Sequence, residues 1–127
     1  MNKERKRAAT LGRLGEEKAA SYLKSLGYVI IKRNWRDSRY GEIDIVAESK
    51  TDILFVEVRS RTVGGLLSGA ETVDSHKLSR VKNAASIFMN RFNTNLPFRV
   101  DVIEMTYYPP GTHKNDKRWV LKHIKNV

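Results

Sequence analysis

The chain has 127 residues, no cysteine, 40% apolar and 30% charged residues, and a formal charge of +10 from 24 Lys and Arg against 14 Asp and Glu. That length suits one domain with a real core and leaves no room for a second, while the lack of cysteine removes disulfides, thiolate zinc sites and cysteine nucleophiles and fits a reducing, cytoplasmic setting. No stretch approaches the roughly 18 apolar residues of a membrane span, and the basic start "MNKERKRAATLG" has no apolar run behind it, so neither a membrane partner nor a secretory signal is expected.

Residues 1–10 read as a basic N-terminal arm that need not be ordered. Residues 8–26 follow with apolar or small side chains at Leu11, Leu14, Gly15, Ala19, Tyr22, Leu23 and Leu26, the spacing of a helix that Gly27 stops. "YVIIKRNW" is a β-branched run and reads as a strand. Two more strands, 41–47 and 53–59, flank the polar "ESKTD" and read as a hairpin. "TVGGLLSGAETV" is a glycine-containing, mobile loop. Ser75 can then cap a helix over 76–92, with Leu78, Val81, Ala85, Phe88 and Phe92 on one face. Pro97 precedes the strands "FRVDVIEM" and "RWVLKHI", joined by the turn-rich "YYPPGTHKND". The order α-β-β-β-α-β-β predicts a single α/β domain with a central mixed β-sheet flanked by helices, the second helix crossing over between parallel strands.

Acidic residues in the hairpin carry the chemistry. Side chains alternate along a strand, so Glu42, Asp44 and Val46 share one side, and Phe55, Glu57 and Arg59 share one side of the next strand. A turn centred between Lys50 and Thr51 sets Asp44 opposite Glu57, with Cβ atoms roughly 4.5–5.5 Å apart. Two carboxylates at that range repel unless a cation joins them. Hard oxygen ligands suit Mg²⁺ or Mn²⁺, which keeps waters and takes phosphate oxygens as further ligands. Such an ion serves phosphodiester hydrolysis. On the first helix Glu17 points away from the apolar stripe, whereas Glu16 lies about 90° from its centre, where it can reach the acidic pair. The ordinary alternative is that these acids pair with Arg39, Arg59 or Arg61, and Glu16 with Lys18 or Arg13.

The positive excess gathers at 3–13, 77–82 and 114–125 and points to a polyanion, nucleic acid first. Arg36, Arg61, Lys77, Arg80 and Lys82 are candidate phosphate contacts. His76, His113 and His123 show no metal spacing and read as ordinary polar residues; Tyr107 and Tyr108 read as strand-end packing, and Trp35 and Trp119 as core or partner-facing. Asp101 is a strand-buried acid with no assigned role.

Asp44, then Glu57 followed two residues on by a cation, with helical Glu16 upstream, resembles the PD-(D/E)xK, restriction-endonuclease-like superfamily. "GRLGEEKAASYL", "NWR", "GEID", "FVEVR", Lys77 with Arg80, "RVDVI" and "HIKN" resemble the YraN-like family of bacterial proteins, similar in core to archaeal Holliday-junction resolvases. The resemblance spans about 11–126. It implies a nuclease-like fold, metal binding by Asp44 and Glu57 with Glu16 as helper ligand, and DNA, branched or structured forms included, as substrate. Arg59 stands where the pattern has lysine; arginine stays charged and cannot act as a base, though its paired N–H donors can steady a phosphate. The expected function is a Mg²⁺- or Mn²⁺-dependent endonuclease using Glu16, Asp44, Glu57 and Arg59, with a homodimer as the form that would cut both strands of a symmetric substrate. The alternatives are a non-catalytic nucleic-acid-binding module on the same scaffold, and an adaptor whose basic surface meets an acidic protein.

Overall fold

A computed structural model describes residues 3–37, 41–64, 75–92 and 94–127. Its elements run α1 (Lys3–Ser25), β1 (Val29–Asp37), β2 (Gly41–Glu48), β3 (Ile53–Thr62), α2 (Ser75–Phe92), β4 (Phe98–Tyr107) and β5 (Trp119–Ile124). The five strands form one mixed sheet in the order β1-β2-β3-β4-β5, antiparallel except for the parallel pair β3 and β4 that α2 separates in sequence. This is the α/β architecture expected, and it is consistent with a restriction-endonuclease-like fold. Among the described residues, no helix is long and apolar enough to cross a membrane.

The helices cover opposite faces of the sheet. On one, Ala19, Ala20 and Leu23 of α1 pack on Ile45, Leu54, Val56, Ile103 and Met105; on the other, Val81, Ala84, Ala85 and Phe88 of α2 pack on Val46, Ile53, Phe55 and Val100. Leu54 and Val56 go with α1 and Ile53 and Phe55 with α2, the two-residue alternation of a strand buried on both sides. Trp35 belongs to the α2 side, its ring edge-on to Phe88. Its neighbour Asn34 has a left-handed backbone, φ 51°. At that irregularity β1 changes faces: Arg33 bonds Glu17 of α1, whereas Trp35 meets α2.

Several boundaries differ from expectation. α1 starts at Lys3, so 3–10 belong to the helix rather than to a loose arm. Lys, Arg, Glu and Ala are strong helix formers, and a solvated helical turn carries no apolar period to announce it. The buried stripe of α1 is also narrower than predicted: Leu14 and Leu26 stay largely exposed and Ala20 is buried instead. The glycine loop falls mostly, and the Ser75 side chain entirely, outside the described residues.

Gly15 fixes how closely α1 lies on the sheet. It is buried against β3, and a Cβ there would overlap Ser60 Oγ and sit 3.2 Å from Ser60 Cβ and 3.4 Å from Met105 Cβ. Alanine in a helix gains about 1 kcal/mol over glycine, whereas overpacking costs about 1–3 kcal/mol, so the clash should win. Gly15→Ala is therefore expected to lower unfolding free energy by about 1 kcal/mol in urea titrations. Among the described residues Ser60 Oγ is buried without a hydrogen-bond partner. Ser60→Ala should thus be near neutral alone and should restore most of the loss in the double variant; simple addition of the two effects would contradict a steric origin.

Candidate functional site

The β2–β3 hairpin has the register anticipated. Ile45 pairs Val56, Val46 pairs Phe55, Ala47 pairs Leu54 and Glu48 pairs Ile53, with the turn closed by Ser49 N–H donating to the Asp52 carbonyl at 2.9 Å. The ladder ends at Ile45 and Val56. Just beyond it the Val58 N–H donates 2.8 Å to Asp44 Oδ2, a side-chain oxygen that continues the bonding between the strands. Asp44 and Glu57 then line one pocket of about 280 Å³, together with Gly41, Glu42, Lys77, Arg80 and Val81.

Glu57 is only 3% exposed, and among the described residues no backbone N–H donates to its oxygens. Its charge is met by cations: Lys77 Nζ lies 2.6 Å from Oε1, and Arg59 Nε lies 4.0 Å from Oε2. Of the cations expected to neutralise the acids, Arg59 is present, Arg61 is instead bonded through Nε to Thr106 Oγ1 at 3.3 Å, and Arg39 lies outside the described residues. Lys77, read from sequence as a phosphate contact, proves the nearest. Arg80 also reaches the pocket. Its guanidinium packs against Gly41, where a Cβ would stand 3.3 Å from Nη2, and Gly41 has φ 97°, a backbone that side chains rarely adopt. Glycine at the head of "GEID" is thus required twice.

Glu16 lies within α1 and does not line this pocket. Its partner is Arg33 of β1 at 3.9 Å, rather than Lys18 or Arg13, and burial, against the attraction of Arg33, raises its pKa. Glu17 is exposed and pairs with the same Arg33 at 2.7 Å. Arg36 is bonded to the pocket residue Glu42 at 3.0 Å, and Lys82 is exposed on α2. Among the described residues no three His, Cys, Asp or Glu side chains come together as a cage for a metal ion.

Asp44 carries the clearest electrostatic signature. Burial first, and then the charges of Glu16, Glu57 and Glu42, push its carboxyl from the usual 3.8 to about 7, against the opposing pull of the Val58 N–H. A carboxyl raised in the fold binds more protons than in the unfolded chain, so its stabilising contribution is complete below about pH 4 and is lost as pH rises through about 7. Asp44→Asn keeps an oxygen for Val58 and removes the charge. With chelator present it should match the wild type near pH 4 and exceed it in stability by on the order of a few kcal/mol at pH 8–9. Equal denaturation curves for the two across that range would contradict a buried, neutral Asp44.

Outside this pocket the α1 side of the sheet holds a second buried acid. Asp101, fully buried, accepts from Arg99 Nε at 3.1 Å and the Asn126 N–H at 2.8 Å, and its Oδ2 lies 2.6 Å from His123 Nε2, whose Nδ1 is 2.8 Å from the Tyr22 hydroxyl. Every bond of this network goes to the protein, so it ties β5 to α1 and β4. Tyr107 packs on Trp119 as strand-end packing, as its position suggested.

Comparison with known proteins gives this arrangement a lineage. Residues 15–105 match the model of the uncharacterised protein family UPF0102. The chain is 41% identical over 128 residues to a UPF0102 protein of Acetivibrio thermocellus, covering 99% of this chain and 95% of the relative. It is 38% identical to one from Porphyromonas gingivalis, covering 91% and 82%, and 32% identical to one from Parabacteroides distasonis, covering 92% and 90%. The matched span contains Glu16, Asp44, Glu57 and the Lys77–Arg80 helix start, and by length and identity the chain belongs to the UPF0102 family, the YraN-like proteins that its motifs resemble.

Proposed function

We propose that this protein is a divalent-metal-dependent endonuclease acting on DNA, with Asp44 and Glu57 as the metal-holding pair. The observation that carries the reading is Glu57: a buried carboxylate that, among the described residues, is met by side-chain cations and by no backbone N–H, opening with Asp44 into a pocket walled by Lys77 and Arg80. A structural acid in that position would be expected to collect N–H donors, as Asp101 does. Oxygen donors suit Mg²⁺ or Mn²⁺, and a pair of protein carboxylates is the kind of set that leaves coordination positions for water and phosphate. The donor chemistry therefore fits the ion.

In this reading Asp44 and Glu57 hold the ion, with Glu16 beside Asp44 as a helper. A bound Mg²⁺ or Mn²⁺ supplies Lewis-acid stabilisation of the phosphate and a more acidic water. The chain's own groups do the rest. Lys77 and Arg80, three residues apart on one face of α2, present two cations to a phosphodiester at the pocket mouth. The start of α2 adds the positive end of its backbone dipole. Arg59, 16% exposed beside Glu57, can counter developing charge, and a guanidinium does not serve as a base toward water. The net charge of +10 draws the polyanion in.

Purified protein with Mn²⁺ is expected to cut at least one of duplex, single-stranded or four-way-junction DNA, and Asp44→Ala or Glu57→Ala to lower the rate by at least about 100-fold. No cleavage of any of the three, with Asp44→Ala indistinguishable from wild type, removes the enzyme. The presence of Arg59 in place of lysine favours one second reading, a non-catalytic DNA-binding module. That module would hold DNA equally well in chelator and take up no Mn²⁺ through Asp44.

Either reading predicts phosphate contacts. Arg80→Ala should weaken DNA binding at all sequences alike and make the slope of log affinity against log salt shallower by about 0.9, the value for one phosphate contact on duplex DNA. A slope unchanged from wild type would move Arg80 out of the interface.

A further inference from the structure

Lys77 stands in a place that the metal reading needs for something else. Its ammonium is 2.6 Å from Glu57 Oε1, on the pocket side of a carboxylate to which no backbone N–H donates among the described residues. A divalent ion bound to Oε1 and an ammonium at that distance would compete for the same lone pairs and repel each other. Both cannot stay. The two partners also differ in freedom: the Glu57 side chain is 3% exposed and cannot leave, whereas the Lys77 side chain is 59% exposed on a long flexible stem.

We propose that Lys77 is the resident counter-ion of Glu57, displaced by the divalent cation and thereby released to bind substrate phosphate. This rests on the metal site proposed above. Without metal the ammonium neutralises a carboxylate that would otherwise be buried alone, which keeps the pocket folded. On metal entry that duty passes to the ion. Lys77 swings outward, where Arg80 of the next turn already faces the pocket, and the two form a cation pair at its rim. Arg59 Nε, at 4.0 Å from the other oxygen, is too far to substitute for the ammonium and stays in place. One lysine thus serves the empty site and the loaded site in turn, and phosphate binding is coupled to metal occupancy.

The test uses the full chain without nucleic acid. Mn²⁺ titration by calorimetry compares wild type with Lys77→Met and Arg80→Met, the second removing an equal charge from the same pocket without touching Glu57. Lys77→Met is expected to be less thermostable in chelator, yet to bind Mn²⁺ between about 5- and 150-fold more tightly than wild type, with Arg80→Met well short of that gain. Equal affinity in wild type and Lys77→Met, or equal gains in the two variants, overturns displacement while the metal site stands. No Mn²⁺ uptake by any of them overturns the metal site itself.

Should Lys77→Met not fold, the wild type decides through ¹⁵N-lysine spectra during Mg²⁺ titration. The Lys77 ammonium signal is expected to shift and lose protection from solvent exchange as Mg²⁺ binds. A signal that stays put at saturating Mg²⁺ overturns the proposal.

Discussion

A carboxylate buried in a β-sheet without backbone N–H donors is tolerable only beside a cation, and much of this molecule is arranged around that requirement. Glu57 lies on β3, flanked by β2 and β4 and covered on its own face by α2. Its neutrality comes from Lys77 of α2 and Arg59 of its own strand. The helix start therefore serves electrostatics as well as packing. Its apolar face, Val81, Ala85 and Phe88, seats it on the sheet, and its first turns deliver Lys77 and Arg80 to the acids.

The two buried acids of the sheet make an instructive pair. Asp101 is enclosed by Arg99, Asn126 and His123 and needs nothing from outside the chain. Glu57 and Asp44 are less well served: one has only nearby cations, and the other takes one backbone N–H while three further carboxylates raise its pKa. Folding alone gives no reason to gather acids in this way, since like charges in a low-dielectric site work against stability. Clusters of this sort are the usual candidates for functional sites.

Much of the arrangement was legible in the residues themselves. The hairpin register followed from strand alternation and an even loop, both local rules, and those rules place Asp44 and Glu57 together. The parallel pair followed from a helix placed between two strands. Three features were not readable. The helical start of α1 has no apolar period, so its solvated turns looked like an arm. The meeting of Lys77 with Glu57 joins residues on different elements, and a basic helix face gives no sign of which cation turns inward. The Tyr22–His123–Asp101 network likewise spans α1, β4 and β5, and its members look like unrelated polar residues in the linear chain. Gly41 was readable as part of a motif, but its reason, a left-handed backbone under the Arg80 guanidinium, exists only in three dimensions.

The pairing of β3 with β4 bears on the order in which this structure assembles. A hairpin such as β2–β3 closes a short loop and needs little chain entropy, whereas Ile53 meets Phe98 only after the whole of α2 has been accommodated between them. Until then Glu57 lies on a half-built sheet open to water, where a carboxylate is solvated and asks for no partner. The distant closure that buries it is also the one that brings α2 across, so desolvation and neutralisation arrive together.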